Sequence, residues 1–279
     1  MLRVEHITSF EDPALEPYQT MKRTVEHQLR GIFVAEGEKV VRRLLESNFT
    51  VVSLLLPEKW LHNLEPLLAS RAEEIRVFVA PKEQLETLTG YSMYQGLLAV
   101  GRIPPPMTLE TMVARSIRPR LFIAVDGLAN AENLGVVVRN CVAFGVQALL
   151  VGETSSSPFL RRAVRSSMGT VFKLPVIEVS NLAAALRELR TGSIRSVAAH
   201  PHADGRTLVQ AALADDCCLV LGSEGQGIAP TVLAACDDLV AIPMASGVDS
   251  LNVGSAAAVF LYEAARQRGR MGRVPVLPA

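Results

Sequence analysis

Hydrophobic positions along the chain fall into short runs that switch between two periods. In EGEKVVRRLLES, from Glu36, apolar residues recur at helical spacing with charges on the opposite face, which predicts an amphipathic helix. TVVSLLL from Thr50, IRVFVA from Ile75 and QGLLAVGRI from Gln95 are brief, apolar, partly β-branched runs that predict buried strands. Helix and strand alternating in this way predict an α/β unit. Pro104, Pro105 and Pro106 then break both patterns, because neither a helix interior nor a central strand tolerates three prolines. The chain therefore reads as a first domain over 1–103, a proline-rich linker over 104–107 and a second domain over 108–279.

Beyond the linker the alternation is more regular. LFIAVDGL from Leu121, VQALLVG from Val146, IRSVAAH from Ile194, CCLVLGSEG from Cys217 and DLVAIPM from Asp238 read as strands. LGVVVRNCVAFG from Leu134, PFLRRAVRSS from Pro158, NLAAALRELRTG ending near Gly192, APTVLAAC from Ala229 and the apolar stretch that nearly finishes the chain read as helices. Short apolar strands with intervening helices predict a mostly parallel sheet covered on both faces. Ligands of such sheets bind beyond the carboxyl ends of the strands.

Composition narrows this picture only in places. Of 279 residues, 49% are hydrophobic, enough for a sizeable core, and 28 basic residues balance 28 acidic ones. A net charge of zero gives no support to a strongly electrostatic nucleic-acid binder, although a local patch suffices for binding. Cys141, Cys217, Cys218 and Cys236 form no C-x-x-C pair and read as reduced, mostly buried thiols of a cytosolic protein. MLRVEHITSFEDP lacks the apolar core of a signal peptide. No apolar run reaches the roughly 18 residues expected of a membrane span.

Three loops that follow apolar strands carry unusual residues. In DGLANAENLGVVVRN, Asp126 ends the strand, Asn133 occupies a helix N-cap position and Arg139 follows further along the helix. Spacing leaves two readings, a capping Asn133 beside a solvated Arg139, or a pair that faces the loop. In LVLGSEGQGIAP, Gly222, Gly225 and Gly227 surround Glu224 and Gln226. The order matches neither the dinucleotide fingerprint nor the P-loop. In IPMASGVDSLNVGSAAAVFLYEAARQR, from Ile242, Asp249, Ser250 and Asn252 offer three caps where a helix start needs one. Three such loops together suggest a small-molecule pocket.

These segments resemble, in order and separation, the three motifs of the SpoU (TrmH-type) family of RNA ribose 2′-O-methyltransferases, of the knotted SPOUT class. The stretch from FVAEGEKVVRRLLE to YQGLLAVGRIP is similar to the substrate-binding domain often attached in that family, which resembles a ribosomal-protein fold. The resemblance implies an α/β fold with a trefoil knot in its C-terminal segments and a homodimer with sites near the knot interface. It also implies S-adenosylmethionine bound among Leu221, Gly222, Glu224, Gly225, Gly227, Ile242, Met244, Ser250, Leu251 and Asn252. Catalytic positions carried over by the motifs are Asn133, Arg139, Glu224, Ser250 and Asn252. The family's R-x-S-x-G element falls on Arg165, Ser167 and Gly169, and implies RNA contact there, with Arg161 and Lys173 alongside. Glu36 matches an E-G element for which a structural role is expected.

The expected activity is methyl transfer to a ribose 2′-hydroxyl of ribosomal RNA, or else transfer RNA, in the cytoplasm. The alternative reading is an idle RNA-binding or assembly factor with the same fold. A dinucleotide-dependent enzyme is disfavoured by the missing glycine fingerprint. His200 and His202 have H-x-H spacing but too few companions for a metal site, so none is expected.

Overall fold

The structure, a computed structural model, describes residues 2–7, 9–21, 23–90, 92, 96–201 and 206–269. It divides into two compact units, Met1–Pro105 with Ser157–Lys173, and Pro106–Ser156 with Leu174–Ala279. The segment Ser157–Lys173 thus packs with the first unit, although sequence order places it well inside the second region.

The first unit holds strands β1 (Leu2–His6), β2 (Ile32–Glu36), β3 (Val51–Leu56), β4 (Ile75–Val79) and β5 (Leu98–Arg102). They form a mixed sheet in the order β1-β4-β3-β5-β2. Helices α1 (Glu16–Gln19), α2 (Thr24–Leu29), α3 (Glu38–Leu45), α4 (Glu58–Ala69) and α5 (Lys82–Thr89) connect or cover it. Tyr18, Leu55, Phe78 and Leu98 pack on one another in a buried cluster. Val40, Val41, Leu44 and Leu45 are buried along α3, as its apolar spacing predicts. Glu36 does not open that helix. It ends β2, and Gly37, at a φ of +92°, turns the chain into α3.

The second unit begins with α6 (Leu109–Arg115), capped by Thr108. It contains β6 (Leu121–Val125), α7 (Ala131–Ala143) and β7 (Ala148–Val151). The chain then leaves for the first unit through α8 (Arg161–Ser166). It returns for β8 (Val176–Glu178), α9 (Leu182–Thr191), β9 (Arg195–Ala199), β10 (Cys217–Leu221), α10 (Pro230–Leu233), β11 (Asp238–Val240) and α11 (Val253–Gln267). The strand order is β11-β9-β10-β6-β7-β8, and every pairing is parallel. All residues of β6 and β10 are buried, the reason these central strands read as unbroken apolar runs. Parallel pairing sends the carboxyl ends of β6, β9, β10 and β11 to one edge, where the loops singled out by the sequence emerge.

The last helix packs on α7. A Cβ on Gly254 would lie 2.6 Å from Cγ1 of Val136, so the glycine permits this close approach. Asn140 Nδ2 donates to the Gly254 carbonyl at 2.8 Å across the same contact. Arg268, just past α11, donates to the carbonyls of Leu213, Pro119, Arg120 and Asp215, fixing the end of that helix to the amino-terminal side of the sheet. Among the described residues, no helix is long and apolar enough to cross a membrane.

Candidate functional site: three loops at one sheet edge

The site grows out of the ends of β6 and β10. Asp126 follows β6, is buried, and its Oδ2 accepts the Ala229 N–H at 2.7 Å. Its own N–H donates to the Leu221 carbonyl at 2.9 Å. The loop after β10 is thereby held at both ends. Inside the loop, Ser223 and Gly227 exchange both backbone hydrogen bonds at 3.0 Å, and the Gln226 N–H donates to the Ser223 hydroxyl oxygen at 3.2 Å. This narrow turn exists because Gly222 has no side chain. A Cβ there would lie 2.2 Å from the Gly227 carbonyl carbon, backbone against backbone.

The tip of the loop carries Glu224, and both of its carboxylate oxygens are engaged. Asn133 Nδ2 donates to Oε2 at 2.8 Å, and Asn252 Nδ2 donates to Oε1. Asn252 Nδ2 also lies 3.3 Å from Asn133 Oδ1. The Asn252 side chain has a second task at its other end, since its Oδ1 accepts the Gly254 N–H at 2.9 Å and caps α11. That acceptor role leaves the amide nitrogen to face Glu224.

One sequence expectation is corrected here. Asn133 is not the cap of α7. Asn130 is, with Oδ1 accepting from the N–H groups of Glu132 at 2.9 Å and Asn133 at 3.1 Å. The helix starts three residues earlier than expected, at Ala131 rather than Leu134, which frees the Asn133 amide for Glu224. Arg139 stands exposed on α7, with no hydrogen bond or ion pair among the described residues.

Beside this polar triad lies a cavity of about 330 Å³. Leu221, Ile228, Ile242, Met244, Leu251 and Val253 supply its apolar wall. Gly222, Glu224, Gly225, Gly227 and Ser250 also line it, whereas Asn252 stands at its edge through Glu224. Sequence reasoning missed Ala199 at the end of β9 and His200 and Pro201 after it, and gave Asp249 no role at the cavity, although all four line it. The volume is at the small end of the range for small-molecule sites, and the mixture of apolar wall and a few polar groups is the usual one.

Cysteine chemistry is absent from the site. All four thiols are free, and burial pushes each of them up, Cys236 to about 12, so none is a thiolate near neutral pH. Among the described residues no group of three potential metal ligands occurs, and His202 lies outside them.

The residues expected to touch RNA belong to the first unit, and the structure sorts them. Ser167 is fully buried; its hydroxyl donates to the Val164 carbonyl at 2.8 Å and accepts the Gly169 N–H at 3.2 Å, so it serves the turn and offers no surface to RNA. Arg161 is largely covered and paired with Glu36. Arg165 pairs with the same carboxylate at 3.2 Å but keeps 62% of its side chain exposed. Lys173 is exposed. Glu36 is thus a structural anchor for the inserted segment, and Arg43 adds a hydrogen bond to the Met168 carbonyl at 2.6 Å.

A parallel α/β sheet with a cavity at its carboxyl edge, walled by loop backbone and lacking a dinucleotide fingerprint, defines a small-molecule-binding α/β protein with a second α/β unit attached. Comparison with known proteins is specific about which. The model of the SpoU rRNA Methylase family matches residues 120–262, and that of the RNA 2′-O ribose methyltransferase substrate-binding domain matches residues 34–107. The chain belongs to the SpoU rRNA methylase family. It is similar to an uncharacterised tRNA/rRNA methyltransferase of Mycobacterium tuberculosis, 30% identical over 97% of this chain and 95% of the relative. It is also similar to the 23S rRNA (guanosine-2′-O-)-methyltransferase RlmB of Pectobacterium atrosepticum, 36% identical over 74% of this chain and 85% of the relative. Among solved structures, the SpoU methyltransferase AviRb from Streptomyces viridochromogenes in complex with AdoMet superposes with a TM-score of 0.79 and 25% identity, covering 92% of this chain and 99% of that one.

Proposed function

We propose that this protein transfers a methyl group from S-adenosylmethionine to a ribose 2′-hydroxyl of ribosomal RNA. The observation that carries the reading is the junction of cavity and triad, in which Glu224 lines the cavity and is held by Asn133 in the first turn of α7 and by Asn252 at the cap of α11. The cavity fits the cofactor chemically. Leu221, Ile242, Met244 and Leu251 form a slot for an adenine face, loop backbone groups offer hydrogen bonds to its edge, and among the described residues neither lysine nor arginine lines the wall to repel a sulfonium.

When bound, the cofactor supplies a methyl group already activated for transfer. The protein's task is then alignment of the two reacting atoms and removal of the hydroxyl proton. Arg139 is unsuited to be a simple base, because a guanidinium stays protonated. Its exposed position, unpaired among the described residues, suits it to hold a substrate phosphate or to stabilise a developing alkoxide. Glu224 is a fixed carboxylate, since both oxygens are restrained by amides, and Asn133 and Asn252 set its direction. Ser250, on the cavity wall, is placed to meet the ribose or the cofactor. Arg165 and Lys173 are, with Arg162, exposed cations of the inserted segment suited to RNA phosphates, which position a substrate without reading its sequence.

The reading includes a homodimer, a knotted C-terminal segment, no metal and a cytoplasmic place of action. Exposed Val136 on α7 and Val259 and Tyr262 on α11 are consistent with a second copy covering the packed helix pair. The test is a methylation assay with purified protein, labelled S-adenosylmethionine and bulk RNA, followed by mapping of 2′-O-methyl sites. Arg139→Ala is expected to lower single-turnover transfer by about 10²-fold or more while cofactor affinity stays within about twofold. Cofactor binding with no 2′-O-methyl product on any RNA would favour the idle-factor reading, and unchanged turnover of the variant would remove Arg139 from the site.

A further inference from the structure

The cavity has an uneven charge. Among the described residues its wall carries two carboxylates, Glu224 and Asp249, and one imidazole, His200, but neither lysine nor arginine. Glu224 is already committed to Asn133 and Asn252, whose neutral amides orient it without cancelling its charge. Asp249 is different. It lies in the loop ahead of α11, is exposed, and has no hydrogen bond or ion pair among the described residues. A carboxylate left without a partner on a cavity wall is a group waiting for a cation. The amino end of α11 also reaches the cavity through Val253 and Ala256. The partial positive charge of a helix start suits the carboxylate of the ligand and leaves Asp249 to the sulfonium.

We propose that Asp249 is the specificity residue by which the cavity distinguishes the positively charged methyl donor from its demethylated product, which keeps its ammonium and carboxylate but carries no net charge. The inference rests on the S-adenosylmethionine reading above. At neutral pH the donor carries a sulfonium, an ammonium and a carboxylate, a net charge of +1. In transfer the carbon–sulfur bond breaks, a carbon–oxygen bond forms to the ribose 2′-oxygen, and the hydroxyl proton leaves to solvent. Sulfur keeps the electron pair of the broken bond, so the product is a thioether with no net charge. The same reaction that spends the donor therefore removes the charge that Asp249 attracts. The cavity favours entry of the donor and weakens its hold on the product without any change of shape. Because Asp249 is exposed, solvent screens the attraction, and the discrimination expected from this one carboxylate is about three- to tenfold.

The experiment is equilibrium binding of three ligands to the full chain and to Asp249→Asn, a nearly isosteric change on an exposed loop. The ligands are S-adenosylmethionine, S-adenosylhomocysteine, and sinefungin, which carries an ammonium in place of the sulfonium. The variant should lose about three- to tenfold affinity for the two cationic ligands and less than about twofold for the neutral one. A second measurement uses the unaltered protein alone. The ratio of donor to product affinity should fall as salt rises from low to about 0.5 M, since screening acts on the charge-dependent part. Equal losses for all three ligands, no loss for any, or an affinity ratio indifferent to salt would overturn the assignment. Failure of the unaltered protein to bind any of the three would instead overturn the cofactor reading, and this inference with it.

Discussion

Replacing Asn252 by alanine removes two contacts that replacement by aspartate separates. The Asn252 Oδ1 caps α11 by accepting the Gly254 N–H at 2.9 Å, while its Nδ2 donates to Glu224. Loss of an N-cap costs about 1 kcal/mol. Loss of a hydrogen bond to an ionised carboxylate costs about 1.5 kcal/mol when buried, and less at an exposed site such as this one. Asn252→Ala should therefore destabilise by about 2 kcal/mol, or roughly 4–8 °C in Tm at about 2–4 °C per kcal/mol for a domain of this size. Asn252→Asp keeps the cap, and its charge suits the helix start. It also sets a second carboxylate against Glu224, a repulsion of about 1 kcal/mol at high effective dielectric. The decisive assay is urea denaturation of both variants with and without Glu224→Gln. In that background the aspartate change should become neutral or stabilising, while the alanine change should still cost about 1 kcal/mol for the missing cap. An aspartate change equally destabilising in both backgrounds would refute the triad. An alanine variant as stable as the unaltered protein would refute the cap.

Gly222→Ala places a Cβ 2.2 Å from the Gly227 carbonyl carbon, so the loop must open. Overpacking of about 1–3 kcal/mol should appear as a loss of roughly 5- to 160-fold in S-adenosylmethionine affinity by calorimetry. Glu36→Ala leaves the largely covered Arg161 guanidinium without its carboxylate, at a cost of up to about 3 kcal/mol, measurable as a drop in Tm that Glu36→Gln partly restores. Glu73 gives a pH prediction. Burial alone would raise its carboxyl, but hydrogen bonds from Arg71 and the Val51 N–H outweigh that and hold it down at about 2. Its contribution is present above the ordinary carboxylate pKa near 4.5 and fades as pH falls toward about 2. Glu73→Gln should flatten that limb of the stability curve measured by urea titration.

The sequence already showed much of this site, and its omissions have identifiable causes. The loops around Glu224 and Asn252 stood out because glycines and polar residues interrupt apolar strands just where parallel sheets bind ligands. The cap of α7 was misplaced because Asn130 and Asn133 both satisfy local capping chemistry. What separates them is the use of the Asn133 amide 91 residues away, which no local rule contains. β8 escaped notice because it is only three residues long, and β1 because it lies in a charged stretch that carries little pattern. The departure of Ser157–Lys173 into the first unit depends on Phe159 and Phe172 meeting Phe33 and Phe49, with ring centroids 5.3–6.0 Å apart. Aromatic side chains so far apart in sequence carry no period that would announce the pairing.

That borrowed segment sets a timetable for synthesis. When the ribosome has made Pro105, the first unit has all five of its strands but lacks the part of its core that Ser157–Lys173 brings. Another 68 residues separate Pro105 from Lys173. At about 5–20 residues per second, the nascent chain waits roughly 3 to 14 s before Phe159 and Phe172 can cover Phe33 and Phe49. During that interval the growing protein presents an aromatic face to solvent, which the rest of the segment later covers.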